Sequence, residues 1–293
     1  MGRTIKTAIL FVNLHKKNAT EAAATIQDEL KKRRIETTVF SFEGKPAMPP
    51  EGKWDIAFSL GGDGTVLYTA RTLAPFDVPI LPVNLGSLGF ISAVDMDEWQ
   101  EVFKLLESGE VKLSRRCMLE ISVERRSGIV MKNICLNDAV ISATGIVKLI
   151  RLDVSLDSAP HTNLGSYRCD GLIIATPTGS TAYSMAAGGP ILDPEMEAVI
   201  VNPICPFTLS NRPLVLPSRQ AISVRVEDEQ RSGVLLTVDG QDTFSLECAD
   251  RVLIQQAPQP ALLIFADRHA YYSALQTKLF RTGISKGTGG TDA

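Results

Sequence analysis

Residues 55–65 are Asp-Ile-Ala-Phe-Ser-Leu-Gly-Gly-Asp-Gly-Thr, an apolar run that ends in a glycine-rich turn. Residues 78–86 repeat this form, and strand-like runs at 8–12 and 36–42 flank a helix-favouring segment at 20–34. Strands that alternate with helices predict a mostly parallel, Rossmann-like α/β domain. Ligands of such sheets bind in the loops after the carboxyl ends of the strands, where both glycine turns lie.

The pattern of the chain changes after about residue 110. Apolar and polar residues alternate at 119–123, 150–156 and 222–226, and a period of two indicates strands with one buried face. We therefore expect an α/β nucleotide-binding domain at 1–105, an antiparallel, β-sandwich-like all-β domain at 106–267, a C-terminal helix at 268–284 that returns to the first domain, and a flexible tail at 285–293.

Composition narrows the classes of function. A chain of 293 residues, 44% of them apolar, can bury one or two cores. A formal net charge of −3 gives no reason to expect nucleic acid or a membrane as a partner. No run approaches the ~18 apolar residues of a membrane span, and residues 1–6 lack the apolar core of a secretory signal. Five scattered cysteines without a CxxC pair favour reduced thiols in the cytoplasm.

The first glycine turn is the sharpest candidate for chemistry. Gly61, Gly62, Gly64 and Thr65 predict a phosphate loop, since exposed N–H groups before a helix at 65–70 can bind an anion. Asp63 would repel a phosphate, so it must face a hydroxyl, whose proton it can accept, or a bridging Mg²⁺. The structural alternative is a tight turn in which Asp63 caps the helix. The second turn, at 84–90, on its own predicts an ordinary glycine turn.

Two segments of the second half are polar at strand ends. Asn137-Asp138 precede an apolar run, and an amide beside a carboxylate can bind a vicinal diol, although a turn with local hydrogen bonds is the alternative. Residues 168–184 combine a buried strand with the loop Thr-Pro-Thr-Gly-Ser-Thr-Ala-Tyr-Ser. There Tyr183 can pack on a base while hydroxyls bond its edges; the alternative is a solvated loop.

Other enzyme motifs are absent from the sequence. It contains no GxxxxGK[ST], GxSxG, HExxH or GxGxxG, which argues against P-loop, serine-hydrolase, zinc-protease and Rossmann-dehydrogenase chemistry. The histidines, His15, His161 and His269, lie outside the glycine motifs. Histidine-based acid–base chemistry therefore has no candidate.

Taken together, these loops resemble the ATP-NAD kinase family along most of the chain. The glycine-aspartate turn alone also occurs in diacylglycerol and sphingosine kinases, so residues 176–184 are the more specific part. The matching motifs are Gly61-Gly62-Asp63-Gly64-Thr65, Asn84-Leu85-Gly86 with Leu88-Gly89-Phe90, Asn137-Asp138, Asp170-Gly171, residues 176–184, Gly188-Gly189-Pro190, Arg212-Pro213-Leu214-Val215 and Asp239-Gly240-Gln241.

The resemblance implies a homodimer or homotetramer that transfers the γ-phosphoryl group of ATP, or of polyphosphate, to the adenosine 2′-hydroxyl of NAD. Mg²⁺ would be carried by the phosphate donor, and Asp63 would accept the proton or orient the hydroxyl. The NAD-binding residues implied by the resemblance are Asp63, Gly64, Asn137, Asp138, Lys148, Arg168, Asp170, Thr181, Ala182, Tyr183, Ser184, Met185, Ala186 and Gln241.

The chain departs from the family pattern at two positions. Asp138 stands where the family often has Glu, which keeps the charge but shortens the reach by one methylene. Phe207 stands where the family commonly has His, and Phe can neither hydrogen-bond nor titrate. Two alternative functions remain: a lipid kinase of the diacylglycerol or sphingosine type, and a nucleotide-binding protein without catalytic activity.

Overall fold

The structure is a computed structural model that describes residues 4–44, 48–86, 89–91, 94–111, 113–145, 149–157, 162–208, 210–265 and 269–280. Lys148 and the predicted tail at 285–293 lie outside these residues. The chain forms two compact units: Met1–Val66, Pro79–Leu113 and Leu263–Ala293 make up the first, and Leu67–Val78 with Ser114–Leu262 the second. Boundaries placed at 105 and 267 did not anticipate that Leu67–Val78 groups with the second unit.

The secondary structure alternates between helices and strands only in the first part of the chain. The elements up to residue 116 are β1 (Thr7–Asn13), α1 (Ala19–Lys32), β2 (Glu36–Phe42), β3 (Ile56–Gly61), α2 (Asp63–Leu73), β4 (Ile80–Asn84), β5 (Val94–Asp95), α3 (Trp99–Ser108) and β6 (Leu113–Arg116). The later elements are β7 (Leu119–Arg125), β8 (Gly128–Cys135), β9 (Asp138–Ala143), β10 (Ile150–Leu156), β11 (Thr162–Cys169), β12 (Gly171–Ala175), α4 (Tyr183–Ala186), β13 (Ala198–Ile204), β14 (Leu214–Pro217), β15 (Ile222–Val226), β16 (Val234–Val238), β17 (Asp242–Leu246), β18 (Arg251–Gln256), β19 (Ala261–Ile264) and α5 (His269–Phe280).

The first unit is built on a sheet with the order β2-β1-β3-β4-β19-β6, in which β5 also pairs with β4. The pairs β1–β2, β1–β3 and β3–β4 are parallel, which confirms the predicted α/β class. Helices α1 and α3 share one hydrophobic core with alternate residues of β1, β3 and β4, where Trp99 packs edge-on against Phe58 at 5.8 Å between ring centres. The helices α1 and α3 thereby cover one face of the sheet.

The register of this sheet brings three strand ends together. Val12 of β1 pairs with Leu60 of β3, and Gly61 pairs with Asn84 of β4. Because parallel strands end on the same side, the loops that follow β1, β3 and β4 are neighbours. The glycine turns therefore lie side by side, as the sequence predicts.

The second unit consists of two antiparallel sheets. Their orders are β11-β10-β15-β18-β7-β8 and β14-β13-β12-β9-β16-β17. Alternate residues of both sheets, such as Ile121 of β7, Val224 of β15 and Ile141 of β9, join a single core. The two sheets thus pack face to face, and the predicted β-sandwich-like domain is confirmed.

The helices α5 and α2 differ in their relation to the first unit. α5 belongs to it as predicted, and the Lys278 ammonium group of this helix lies 4.3 Å from the centre of the Phe90 ring. α2 begins in the first unit at Asp63 and ends in the second unit at Leu73. Among the described helices, none combines the length and apolarity needed to cross a lipid bilayer.

Candidate active site

The first glycine loop, residues 61–65, continues directly from β3 into α2. The helix begins at Asp63, two residues earlier than the segment 65–70 predicted from the sequence. A Cβ atom at Gly61 would overlap the side chain of Thr65, so only glycine allows this close turn. The Thr65 hydroxyl accepts a hydrogen bond from the side-chain amide of Asn13 at 3.2 Å, which joins the loop to the end of β1.

The carboxylate of Asp63 is anchored on the second glycine loop. Its Oδ2 accepts a hydrogen bond from the backbone N–H of Phe90 at 2.9 Å, and its Oδ1 accepts one from the N–H of Ile91 at 3.2 Å. The two backbone bonds fix the orientation of the carboxylate, and the second loop is therefore more than the ordinary turn that its sequence suggests.

Asn84 shapes the start of the second glycine loop. Its side chain is buried and bonds the backbone of Gly86 twice, with the amide donating to the carbonyl oxygen and Oδ1 accepting from the N–H, both at 3.1 Å. The N–H of Leu85 donates to the carbonyl oxygen of Gly61 at 2.9 Å. The two loops are thus hydrogen-bonded to each other as well as adjacent.

In the second unit, Asp239 organises the segment that carries Asn137 and Asp138. Its carboxylate accepts hydrogen bonds from three successive backbone N–H groups, those of Leu136 at 3.0 Å, Asn137 at 2.7 Å and Asp138 at 3.2 Å. Asp239 is only 6% exposed and has a left-handed backbone, with φ of 51°. Sequence reasoning noted the Asp-Gly-Gln motif but assigned a site role to Gln241 alone.

Arg71, in the last turn of α2, supports the turn between β16 and β17 that contains Asp239. Its guanidinium group forms a salt bridge with Asp242 at 2.7 Å and reaches the carbonyl oxygen of Val238 at 3.5 Å. The side chain of Arg71 is only 10% exposed. A partly buried, paired arginine at this position stabilises the turn. Burial raises the pKa of Asp239, while the backbone N–H groups of Leu136 and Asn137, and then the positive charge of Arg71, act to lower it.

A cavity of about 360 Å³ opens against this segment of the second unit. The side-chain oxygen of Asn137 is buried there without a hydrogen-bond partner among the described residues. Burial, and then the nearby Asp239 carboxylate, raise the pKa of Asp138 from 3.8 to about 7. Unsatisfied acceptors in a concave site fit a ligand that brings hydroxyl donors. The cavity is lined by Asn137, Asp138, Val140, Ser142, Ala182, Tyr183, Thr237, Asp239 and Gly240.

The hydroxyl-rich segment 176–184 is held mainly by its own hydrogen bonds. The Thr176 hydroxyl donates to the carbonyl oxygen of Leu136 at 2.5 Å, and the Thr181 hydroxyl donates to that of Thr178 at 3.2 Å. The Ser180 hydroxyl donates to the carbonyl oxygen of Pro177 at 2.6 Å. These hydrogen bonds stabilise the segment, and the expectation that its hydroxyls also bond the edges of a base stays a prediction.

The same segment is packed directly against the start of β9. A Cβ atom at Gly179 would overlap the backbone of Asn137, so this contact requires glycine. The side-chain amide of Asn202 donates a hydrogen bond to the backbone carbonyl oxygen of the buried Ser184 at 2.9 Å. Ala182 and the half-exposed Tyr183 are the residues of the segment that line the cavity.

The other predicted ligand residues have varied surroundings. Arg168 is exposed, and its guanidinium group lies 4.8 Å from the ring centre of Phe207. Asp170 is exposed at the junction of β11 and β12, and Gln241 is exposed next to the cavity-lining Gly240. Met185 and Ala186 lie in the short helix α4, and Gly64 is exposed in the first turn of α2.

A parallel α/β unit with an aspartate-bearing glycine loop, combined with an all-β unit, defines a phosphotransferase that acts on a hydroxyl group. Residues 2–111 match the ATP-NAD kinase N-terminal domain, and residues 136–265 match the ATP-NAD kinase C-terminal domain. The chain belongs to the ATP-NAD kinase family. The lipid-kinase and non-catalytic alternatives are thereby set aside, and the chain is an enzyme.

Curated relatives agree over most of the chain. It is 39% identical to the NAD kinase of Treponema denticola over 282 residues, which cover 96% of this chain and 98% of the relative. It is 41% identical to the NAD kinase of Geobacter sulfurreducens over 227 residues, which cover 77% and 78% of the two chains.

Solved structures share the fold. A yeast NADH kinase complexed with NADH superposes with a TM-score of 0.84 at 24% identity, covering 97% of this chain and 91% of the yeast chain. An NAD kinase from Archaeoglobus fulgidus in complex with ATP gives a TM-score of 0.71 at 24% identity, with 93% and 99% covered.

Proposed function

We propose that this enzyme transfers the γ-phosphoryl group of ATP to the adenosine 2′-hydroxyl of NAD and so forms NADP. The observation that carries the proposal is the anchored carboxylate of Asp63 in the first glycine loop, which two backbone N–H groups orient. The 2′-hydroxyl donates its hydrogen bond to Asp63, and its proton passes to this carboxylate as the new O–P bond forms. The bond between the γ-phosphorus and the β,γ-bridging oxygen of ATP breaks in the same step, and ADP leaves. The family match and the named relatives support the choice of NAD and ATP.

The cavity of the second unit supplies the binding site for NAD. The unpartnered oxygen of Asn137 and the carboxyl group of Asp138 accept hydrogen bonds from ribose hydroxyls. Tyr183, which is 49% exposed at the cavity wall, offers an aromatic face on which a base can pack. The hydrogen bonds that Asp239 accepts hold the backbone of Asn137 and Asp138 in place.

The phosphate donor carries Mg²⁺ to the site. The described residues contain no group of three or more His, Cys, Asp or Glu side chains placed to hold a metal ion. The phosphate oxygens of the donor are hard oxygen ligands of the kind that Mg²⁺ prefers. When bound, the ion neutralises charge on the transferred phosphoryl group.

We assign the active enzyme to a homodimer or homotetramer in the cytoplasm. Apolar side chains of the second unit are exposed at Ile191, Met196, Phe207 and Val215, between 38% and 66%. Apolar side chains that remain exposed in this way are available for association between subunits. All five cysteines are free thiols, as a reducing compartment maintains them.

An assay with the purified chain tests the activity. NAD or NADH is offered as acceptor with ATP or polyphosphate as donor and Mg²⁺ present, and NADP or NADPH is quantified enzymatically. Diacylglycerol with ATP serves as the acceptor control. NADP formation with NAD and ATP supports the proposal, while phosphorylation of diacylglycerol, or binding of NAD without any turnover, would overturn it.

A further inference from the structure

Lys16 lies in the turn between β1 and α1, next to both glycine loops. A Cβ atom built on Gly62 would be 3.6 Å from Nζ of Lys16, and one built on Gly86 would be 3.7 Å from it. The ammonium group therefore faces the backbone of both loops on the side where these glycines carry no side chain. A larger residue at either glycine would fill the space in front of the ammonium group.

Asn13 fixes the turn that presents Lys16. The carbonyl oxygen of Asn13 accepts the backbone N–H of Lys16 at 3.0 Å, and its side-chain oxygen accepts the N–H of His15 at 3.1 Å. The side-chain amide of Asn13 donates to the hydroxyl of Thr65. The same asparagine thus ties the turn of Lys16 to the loop of Asp63, so the two oppositely charged residues are held by one framework.

The ammonium group of Lys16 has unused hydrogen-bonding capacity. It can donate three hydrogen bonds, yet within the described parts of the chain the Lys16 side chain forms neither a hydrogen bond nor a salt bridge. The side chain is partly buried beside backbone groups. A lysine held in such a position is suited to binding an anion that arrives with a ligand.

The glycine loops themselves contain no cation. Neither residues 61–65 nor residues 84–90 include Lys or Arg, and the chain has no phosphate loop with its own lysine. Backbone N–H groups can bind phosphate oxygens, but transfer of a phosphoryl group also requires neutralisation of its developing charge. A cation from outside the two loops has to supply part of this charge.

We infer that Lys16 binds the terminal phosphates of the phosphoryl donor between the two glycine loops. This inference rests on the proposed NAD kinase activity and adds a residue to it. The ammonium group contacts oxygens of the β- and γ-phosphates, while Asp63 faces the acceptor hydroxyl. Lys16 belongs to the donor side of the reaction, and its loss affects ATP and polyphosphate alike because both present the same phosphate chain.

Kinetics of Lys16→Met against Lys17→Met tests this assignment. Lys17 is adjacent and exposed, so its replacement removes the same charge from the same turn. We expect Lys16→Met to lower kcat/KM for ATP about 10- to 100-fold, the range of one hydrogen bond to a charged group. KM for NAD should change less than about twofold, Lys17→Met should resemble the wild type, and Lys16→Arg should recover part of the loss.

Binding of inorganic tripolyphosphate, measured calorimetrically without NAD, separates this inference from the proposed activity. Wild type and Lys17→Met should bind it, and Lys16→Met should bind it about 10-fold or more weakly. Equal binding by Lys16→Met and Lys17→Met would overturn the inference even in an active enzyme. A wild type that forms no NADP would refute the proposed function. The tripolyphosphate binding measurement would still decide the role of Lys16 in that case. Melting temperatures verify folding, and Lys16→Gln replaces Lys16→Met if that variant does not fold.

Discussion

Asp63 combines two properties at the scale of a single side chain: it anchors a loop and it presents a base. Asn at this position keeps the shape but cannot accept a proton, and its NH₂ group would face one of the N–H donors of Phe90 and Ile91. We expect Asp63→Asn to lower kcat about 10²–10⁴-fold, the usual contribution of a positioned general base. Steady-state turnover is the measurement, with the exposed α1 variant Asp28→Asn as control. Full turnover by Asp63→Asn would contradict the assignment.

Asp138 predicts a dependence of stability on pH. Its pKa is raised from 3.8 to about 7 by burial and then by Asp239. Between these values the folded protein keeps a proton that the unfolded chain has lost, so stability falls as pH rises from about 4 to 7 and then levels off. Asp138→Asn removes this loss, and we expect it to be more stable than wild type at pH 8 by about 2–4 kcal/mol.

Urea unfolding at pH 5 and pH 8 measures the effect of Asp138→Asn. The advantage of the variant should be larger at pH 8, and KM for NAD should increase because a carboxylate that binds ribose is lost. An advantage of equal size at both pH values would show that the carboxyl group does not titrate in this interval.

At the scale of elements, the turn between β16 and β17 holds the start of β9 through Asp239. Asp239→Asn replaces one of the oxygens that accept the three backbone N–H groups. We expect the free energy of unfolding to fall by about 1–3 kcal/mol and the KM for NAD to rise. Asp77→Asn is the matched control, because Asp77 also has a left-handed backbone, with φ of 53°, but is exposed. Thermal unfolding measures the stability of the two variants, and kinetics at varied NAD concentration measure their KM. Equal stability and equal KM for Asp239→Asn and Asp77→Asn would contradict the supporting role of Asp239.

The elements themselves could be predicted from the sequence because their patterns are local. Apolar runs that end in glycine indicated the parallel strands, and alternation indicated the sandwich. The contacts that build the site are not local: Asp239 bonds Asn137 across the chain, and Lys16 approaches Gly62 and Gly86 only after β1, β3 and β4 pair. Composition alone cannot show whether a hydroxyl of residues 176–184 bonds a ligand or its own backbone, so the contact of these hydroxyls with a base stays a prediction.

For the whole molecule, the exposed apolar residues Ile191, Met196, Phe207 and Val215 predict association. The molar mass in solution, measured by light scattering, should be two or four times the chain mass of 31.8 kDa. Val215→Glu, on the edge strand β14, should lower it, since a charge at an apolar interface is costly. Ile129→Glu, on the edge strand β8 of the other sheet, is the control. A monomeric wild type, or equal effects of both variants, would contradict this surface.

The path of the chain through its two units has a consequence for how such a protein can arise and be altered. The backbone passes from one unit to the other after residues 66, 78, 113 and 262, and α2 contains the first of these passages. Neither unit corresponds to one uninterrupted stretch of gene, so recombination cannot exchange them as cassettes. Substrate choice can instead change through single substitutions of cavity-lining residues, such as Val140, Ser142 or Thr237 of the strands, while the two units are inherited together.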